Sequence, residues 1–285
     1  MRVSTAVLKE ASLEELVETI DSESANLQTF IASVDIDFSD GGKKKGRVTD
    51  YAELSGTILV RKPTMLRMQV KLPLVRNTAL DMVSNGRMFQ VSFPPKNQFF
   101  VGSSQFVGKP SDNPLENLRP QIILEALLLR PIDEATETAV LEQSTEVVKD
   151  PKTHKLAEQY NYVLIVLAKD PAGAYLSRKI FFSREDLRPH SQAIYDRDGQ
   201  LVTYANYENF TDHSGILFPD LINIQRPIEE LSFQLAVTKL RMNEPIQDVQ
   251  FDLQQPPGSK LINLDNKNIS ADRVEPKREL DKGPQ

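Results

Sequence analysis

Three histidines, His154, His190 and His213, are the residues of this chain best suited to move a proton or ligate a metal. None sits in an HExxH or HxH arrangement, and none has a carboxylate pair at ligand spacing, so no metal site is expected. A serine nucleophile needs a sharp strand-to-helix turn of the GxSxG kind. Neither "VGSSQF" nor "ENFTDHSGI" supplies one. The glycines of "SDGGKKKG" lack both the spacing and the following helix of a phosphate-cradling loop. Glu14–Glu15 and Glu229–Glu230 are paired carboxylates that read as surface residues unless a cleft encloses them. Cysteine is absent, which removes disulfides, thiolate metal ligands and cysteine nucleophiles together. The expectation is a protein that is not an enzyme and uses no cofactor. A hydrolase built from scattered residues would reveal itself by a perturbed His190 or His213 beside a carboxylate and a serine in a cleft.

Apolar surface is what the chain has in quantity. Met65, Met68, Met82, Met88, Phe89, Phe93, Phe99 and Phe100 all fall within 61–101. Flexible and aromatic side chains of this kind line lipid cavities, and they also make ordinary cores. With 285 residues and a net charge of −6, the chain is long enough for a sizeable core and lacks the basic balance of a nucleic-acid binder. No apolar run reaches the roughly 18–20 residues of a membrane-spanning helix, and the start "MRVSTAVLKEASLEEL" has no signal-peptide core.

The elements that position this surface are mostly strands. A helix opens the chain over about 12–30: Ser12 and Glu15 fit a capping box, and Leu13, Leu16, Val17, Ile20 and Leu27 share a face. In "RKPTMLRMQVKLP", Leu66, Met68, Val70 and Leu72 alternate with Arg67, Gln69 and Lys71, which predicts a strand with one apolar face and one facing water. Asn85–Gly86 and Asp198–Gly199 mark hairpin turns, the first leading to Phe89, Val91 and Phe93 on one face. Further alternating segments run to about 242, so the fold class is mainly β: a meandering antiparallel sheet that curls or closes, with about eight to eleven strands. "DNPLENLRPQIILEALLLRP" interrupts it. Asn113 and Pro114 start a short turn, and Pro120 starts a second helix that Pro131 stops. Ile123, Leu124, Leu127 and Leu128 belong to a helix that is apolar nearly all round, so it must be enclosed, inserted, or laid over an apolar cavity. Lys43, Lys44 and Lys45 form a basic hairpin tip, and the segment 266–285 is polar and expected to be disordered.

Three segments carry a family likeness. "LSGTILVRKPTMLRMQV", "LDMVSNGRMFQVSFPPKNQFFVG" and "FDLQQPPGSKLI" resemble, in order and spacing, the LolA/LolB-like lipoprotein carriers, and most of all the outer-membrane lipoprotein-sorting type. The likeness covers roughly 12–264 and implies one domain over 1–265, an unclosed antiparallel β-barrel round a hydrophobic cavity covered by a few helices. It implies a periplasmic carrier or receptor of lipoprotein acyl chains or other lipids, with no nucleic-acid partner and a possible lipid anchor at the outer membrane. The alternative is an envelope sensor or interaction module of the same fold that regulates a partner protein. The family's basic residue before proline falls on Lys62, a lysine where the carrier has an arginine that works with its lid; Arg61 projects to the opposite face. The implied cavity and lid residues are Lys62, Leu66, Met68, Val70, Leu72, Phe89, Val91, Phe93, Ile123, Leu124, Leu127 and Leu128.

Overall fold

The computed structural model describes residues 7–42, 46–75, 77–104, 114–117, 119–149 and 155–265. Lys43, Lys44, Lys45, Asn113, His154 and the 266–285 segment lie outside the described residues. Helix α1 (Leu13–Asn26) is followed by β1 (Thr29–Gly42), β2 (Arg47–Arg61), β3 (Met65–Lys71), β4 (Thr78–Asn85), β5 (Met88–Phe93) and β6 (Gln98–Ser103). The short α2 (Pro114–Asn117) and α3 (Pro120–Leu127) come next. Then follow β7 (Glu137–Lys149), β8 (Leu156–Asp170), β9 (Gly173–Ser183), β10 (Pro189–Tyr195), β11 (Leu201–His213), β12 (Ile216–Arg226) and β13 (Leu231–Met242). A 3₁₀ turn at Asp248–Phe251 and the short β14 (Lys260–Asn263) end the order.

The fourteen strands among the described residues join one unclosed sheet in the order β14-β6-β5-β4-β3-β2-β1-β13-β12-β11-β10-β9-β8-β7. The strand number therefore exceeds the eight to eleven expected. Pairing is antiparallel throughout except between β14 and β6, which run parallel. Two meanders, β1–β6 and β7–β13, are stitched together where β1 pairs with β13, Val34 opposite Val237 and Phe38 opposite Phe233. Curvature is helped at Gly56 in β2. A Cβ there would lie 2.8 Å from Ile36 Cδ1 and 2.9 Å from the Gln69 carbonyl oxygen, so only glycine lets the strands approach this closely. The Asn85–Gly86 hairpin forms as expected, with Asn85 Oδ1 accepting from the Arg87 and Met88 amides and Gly86 at φ +87°.

The inner face holds the main core. Leu66, Met68 and Val70 of β3 lie there with Phe89, Val91, Phe30, Ile58, Leu235 and the α3 residues Ile123, Leu124 and Leu127. Helix α1 covers the other end, where Leu16 and Ile20 pack on Tyr162, Leu164, Val166, Ile180 and Phe182. Its capping box is intact: the Glu15 amide donates to Ser12 Oγ at 3.2 Å and the Ser12 amide to Glu15 Oε2 at 2.7 Å.

The outer face of β3 differs from the expectation. Arg67 is only half-exposed, because the segment 244–253 crosses over it, and Gln69 is half-buried with a bond to Asp81, while Lys71 is exposed as expected. Ile246 and Phe251 pack on Leu59, Ile31 and Met65, and Leu253 packs on Val83 and Phe99. Arg67 holds Asp81 through two bonds of 3.1 and 2.8 Å and also donates to the Gln250 carbonyl. Arg61 does project to this outer side, with its guanidinium 5.2 Å from the Phe251 ring. The first helix stops at Asn26 rather than near 30, since Leu27 is already extended and enters the inner core.

Candidate functional site

A cavity of about 530 Å³ opens on the inner face. Its floor is Met68 and Val70 of β3, Leu72 just past the end of β3, and Ala79, Leu80 and Met82 of β4, and α3 reaches into it with Ile123. The side walls are Ile36 and Phe38 of β1, Leu54 of β2 and Phe233 of β13. Phe38 is held between Phe233 and Tyr51, with ring centroids 5.0 and 5.6 Å away. Asp40, Arg47, Thr49, Tyr51 and Lys96 lie at one end only, where the β1–β2 hairpin and the turn after β5 meet.

Of the residues named from the sequence, Met68, Val70, Leu72, Phe93 and Ile123 line this cavity. Leu66, Phe89, Val91 and Leu124 are packed in the core beside it and fill the middle of the trough. Lys62, Leu127 and Leu128 line a separate hollow of about 70 Å³ at the opposite end, with Glu23, Ser24, Tyr207 and Phe218. There the Lys62 ammonium donates to Ser24 Oγ at 2.6 Å and to the Ser24 carbonyl, tying α1 to the β2–β3 turn. Burial lowers the Lys62 pKa from its ordinary value. The walls from β1 and β2 are lining that the sequence reading did not name. The alternation Val34, Ile36, Phe38 in "SVDIDF" was the available signal.

Helix α3 is clamped at its C-terminal end. The last carbonyls of a helix have no partners within it. Here Gln192 Nε2 donates to the Glu125 carbonyl at 2.8 Å, and the Tyr207 hydroxyl donates to the Ala126 carbonyl at 2.8 Å. Gln192 Nε2 also donates to the Tyr207 oxygen at 2.5 Å, and complete burial raises the Tyr207 pKa so that the phenol stays protonated. The helix ends at Leu127, short of the expected Pro131. Leu128 turns extended while its amide still donates to the Leu124 carbonyl, and the pre-proline restriction falls two residues later, on Arg130. The Arg130 and Pro131 carbonyls are then taken by Arg178, at 2.6 and 2.9 Å. Arg130 and Arg178 both reach Glu137, whose side chain is 4% exposed. Burial raises the Glu137 pKa, but its bonds and charges from the two arginines outweigh this and leave it below the ordinary value. Burial lowers Arg178 to about 10.

Two of the three histidines, His190 and His213, lie among the described residues. His190 Nε2 lies 3.1 Å from both Asn161 Oδ1 and Gln159 Nε2, and burial lowers its pKa to about 4, so it is neutral at physiological pH. Its hydrogen-bonding neighbours are these two amides, and the nearby Asp186 charge opposes the effect of burial only in part. His213 Nε2 does meet Asp220 at 3.0 Å, but Thr211 Oγ1 bonds to that same carboxylate and not to the imidazole. Among the described residues no group of three or more His, Asp or Glu is placed to hold a metal ion, and no helix is long and apolar enough to cross a membrane.

No protein-family model matches the sequence, and no curated protein matches it. Solved structures do share the fold. A LolA superfamily protein from Nitrosomonas europaea superposes with a TM-score of 0.51 at 16% identity, covering 86% of this chain and 99% of that one. A DUF1329 family protein from Desulfovibrio piger gives 0.51 at 17% identity over 83% and 94% of the two chains. An outer membrane lipoprotein-sorting protein domain from Vibrio parahaemolyticus gives 0.50 at 12% identity over 85% and 97%. The chain thus has the fold of the LolA superfamily, as its sequence motifs indicate, and at these identities the likeness speaks for the fold.

Proposed function

We propose that this protein is a carrier or receptor of the bacterial cell envelope that shelters acyl chains, of a lipoprotein or of another lipid, between the inner face of its sheet and α3. The observation that carries this reading is the cavity of about 530 Å³, walled by methionine, aromatic and aliphatic side chains, in a LolA-like open barrel. That volume lies within the range of roughly 300–1,000 Å³ usual for small-molecule sites. A chain of about a dozen methylenes gains on the order of 10 kcal/mol by burial, before ordering costs, at about 0.8 kcal/mol each. Binding of that size holds a ligand and still releases it when α3 lifts, and no bond is made or broken. The same reading treats residues 1–265 as one folding unit, which limited proteolysis is expected to leave whole, and places the protein in the periplasm. Recovery in the cytosolic fraction of its native host would contradict that placement.

The chain contains no tryptophan, so one introduced at Leu72 on the cavity wall is a unique reporter. A brominated fatty acid is expected to quench Leu72→Trp strongly and to leave Val147→Trp, on the exposed edge strand β7, unquenched. Equal quenching at both positions, or none at either, counts against the cavity as the lipid site.

A further inference from the structure

The cavity has a direction. Among the described residues the polar lining, Asp40, Arg47, Thr49, Tyr51 and Lys96, sits at the mouth, and the other described lining residues are apolar. The strand directions explain the segregation. β1 ends, β2 begins and β5 ends at the same rim, so the hairpin pairs Asp40 opposite Thr49 and Phe38 opposite Tyr51 while the turn after β5 brings Lys96 across from them. Of the three charged residues in the described lining, two are cations; the Glu230 carboxylate lies outside the lining, beside Gly42 of the same hairpin. Lys96 stands with its ammonium 5.9 Å from the Phe93 ring, at the boundary between the rim and the apolar wall. Arg47 is exposed at the start of β2. Among the described residues Asp40 is the single carboxylate of the lining, and it already has an interaction partner of its own.

Size supplies the second constraint. At about 30 Å³ for a water-sized group, a cavity of about 530 Å³ has room for roughly eighteen groups of methylene size. One acyl chain of common length fills it. Two or three chains do not fit, because Leu66, Phe89, Val91 and Leu124 occupy the trough beyond.

Resting on the reading of this cavity as a lipid site, we propose that its ligand is a single-chain amphiphile with an anionic head, the chain lying along Met68, Val70, Leu80 and Met82 and the head held at the mouth by Arg47 and Lys96. Carboxylate and phosphate heads share the chemistry that two basic side chains recognise: oxygen acceptors carrying negative charge. A fatty acid and a lysophospholipid are the two sources.

The test is isothermal titration of the full chain, first stripped of lipid, with four probes of one chain length below their micellar concentrations: laurate, dodecyl phosphate, dodecanol and dodecyltrimethylammonium. Laurate and dodecyl phosphate are expected to bind one to one and at least tenfold tighter than the cationic probe. The tighter of the two identifies the head as carboxylate or phosphate. Arg47→Glu with Lys96→Glu, two exposed positions, is expected to reduce that ratio at least tenfold, and Lys96→Gln alone to reduce it partly. Equal affinity for anionic and cationic heads, or a ratio unmoved by both variants, overturns the head-group assignment and leaves the lipid-site reading standing. Tighter one-to-one binding of the two-chain didecanoyl phosphatidylglycerol overturns the single-chain assignment. Failure of every probe, dodecanol included, overturns the lipid-site reading itself.

Discussion

Removing one hydroxyl should loosen α3 without disturbing the sheet. In Tyr207→Phe the ring still packs among the inner-face residues, but the 2.8 Å bond to the Ala126 carbonyl is gone, and so is the acceptor for one bond from Gln192. Gln192 keeps its bond to the Glu125 carbonyl. The Ala126 carbonyl is left in a buried site without its tyrosine partner, which costs about 1–3 kcal/mol. That penalty falls on the closed state of α3 and is relieved when the helix lifts, so the closed state loses about 5- to 150-fold in its favour. Hydrogen exchange read residue by residue is the assay. The amides of Leu124–Leu128 are expected to exchange faster by that factor in Tyr207→Phe, with the α1 amides around Leu16 and Ile20 and the paired amides of β3 and β4 unchanged. If α3 amides accelerate only by the same factor as the whole sheet, then α3 is an inseparable part of the core and has no opening of its own. The account of α3 as a movable cover would then fail.

His190 is expected to make stability fall as pH drops from about 6.5 to 4. Its folded-state pKa of about 4 lies below the unfolded value of about 6.5, so the unfolded chain binds the proton first, and about 3 kcal/mol is lost across that window. Urea unfolding of His190→Gln, which carries no such proton, should show a flatter slope there; an unchanged slope would exclude His190 as the cause. Glu137→Gln leaves Arg178 buried without its counter-charge and is expected to cost roughly 3–5 kcal/mol, read from the urea midpoint. A loss below about 1 kcal/mol, the range of surface ion pairs, would show the cluster to be dispensable. Leu124→Asp, placing a carboxylate under α3, should weaken binding of an acyl probe while circular dichroism of the sheet is retained; loss of the sheet signal instead would assign Leu124 to the core alone.

Local chemistry made much of the fold legible. The alternation of Leu66, Met68 and Val70 placed the inner face of β3, and Asn85–Gly86 placed a hairpin, because side-chain period and turn conformation are set within a few residues. The pairing of β1 with β13 joins residues some two hundred positions apart and leaves no local trace. The covering of Arg67 by 244–253 was hidden for a related reason. A period of two reports that the faces of a strand differ, and a polar face can be satisfied by a salt bridge and carbonyls as well as by water. The clamp on the end of α3 comes from Gln192 and Tyr207, on strands far along the chain, and the carbonyls beyond it are taken by Arg178. Within the site, the alternation cannot separate Met68, which lines the cavity, from Leu66, which is packed against its neighbours, since both point inward. That distinction comes from how α3 lies over the trough.

Native mass spectrometry of protein purified gently from a Gram-negative host, with and without solvent extraction, tests the central claim most directly. The account predicts an added mass that matches an acylated molecule and disappears on extraction, leaving protein that takes the acyl chain up again. A bare protein mass that fails to take up an acyl probe would mean that the cavity over Met68, Val70 and Met82 is not a lipid site.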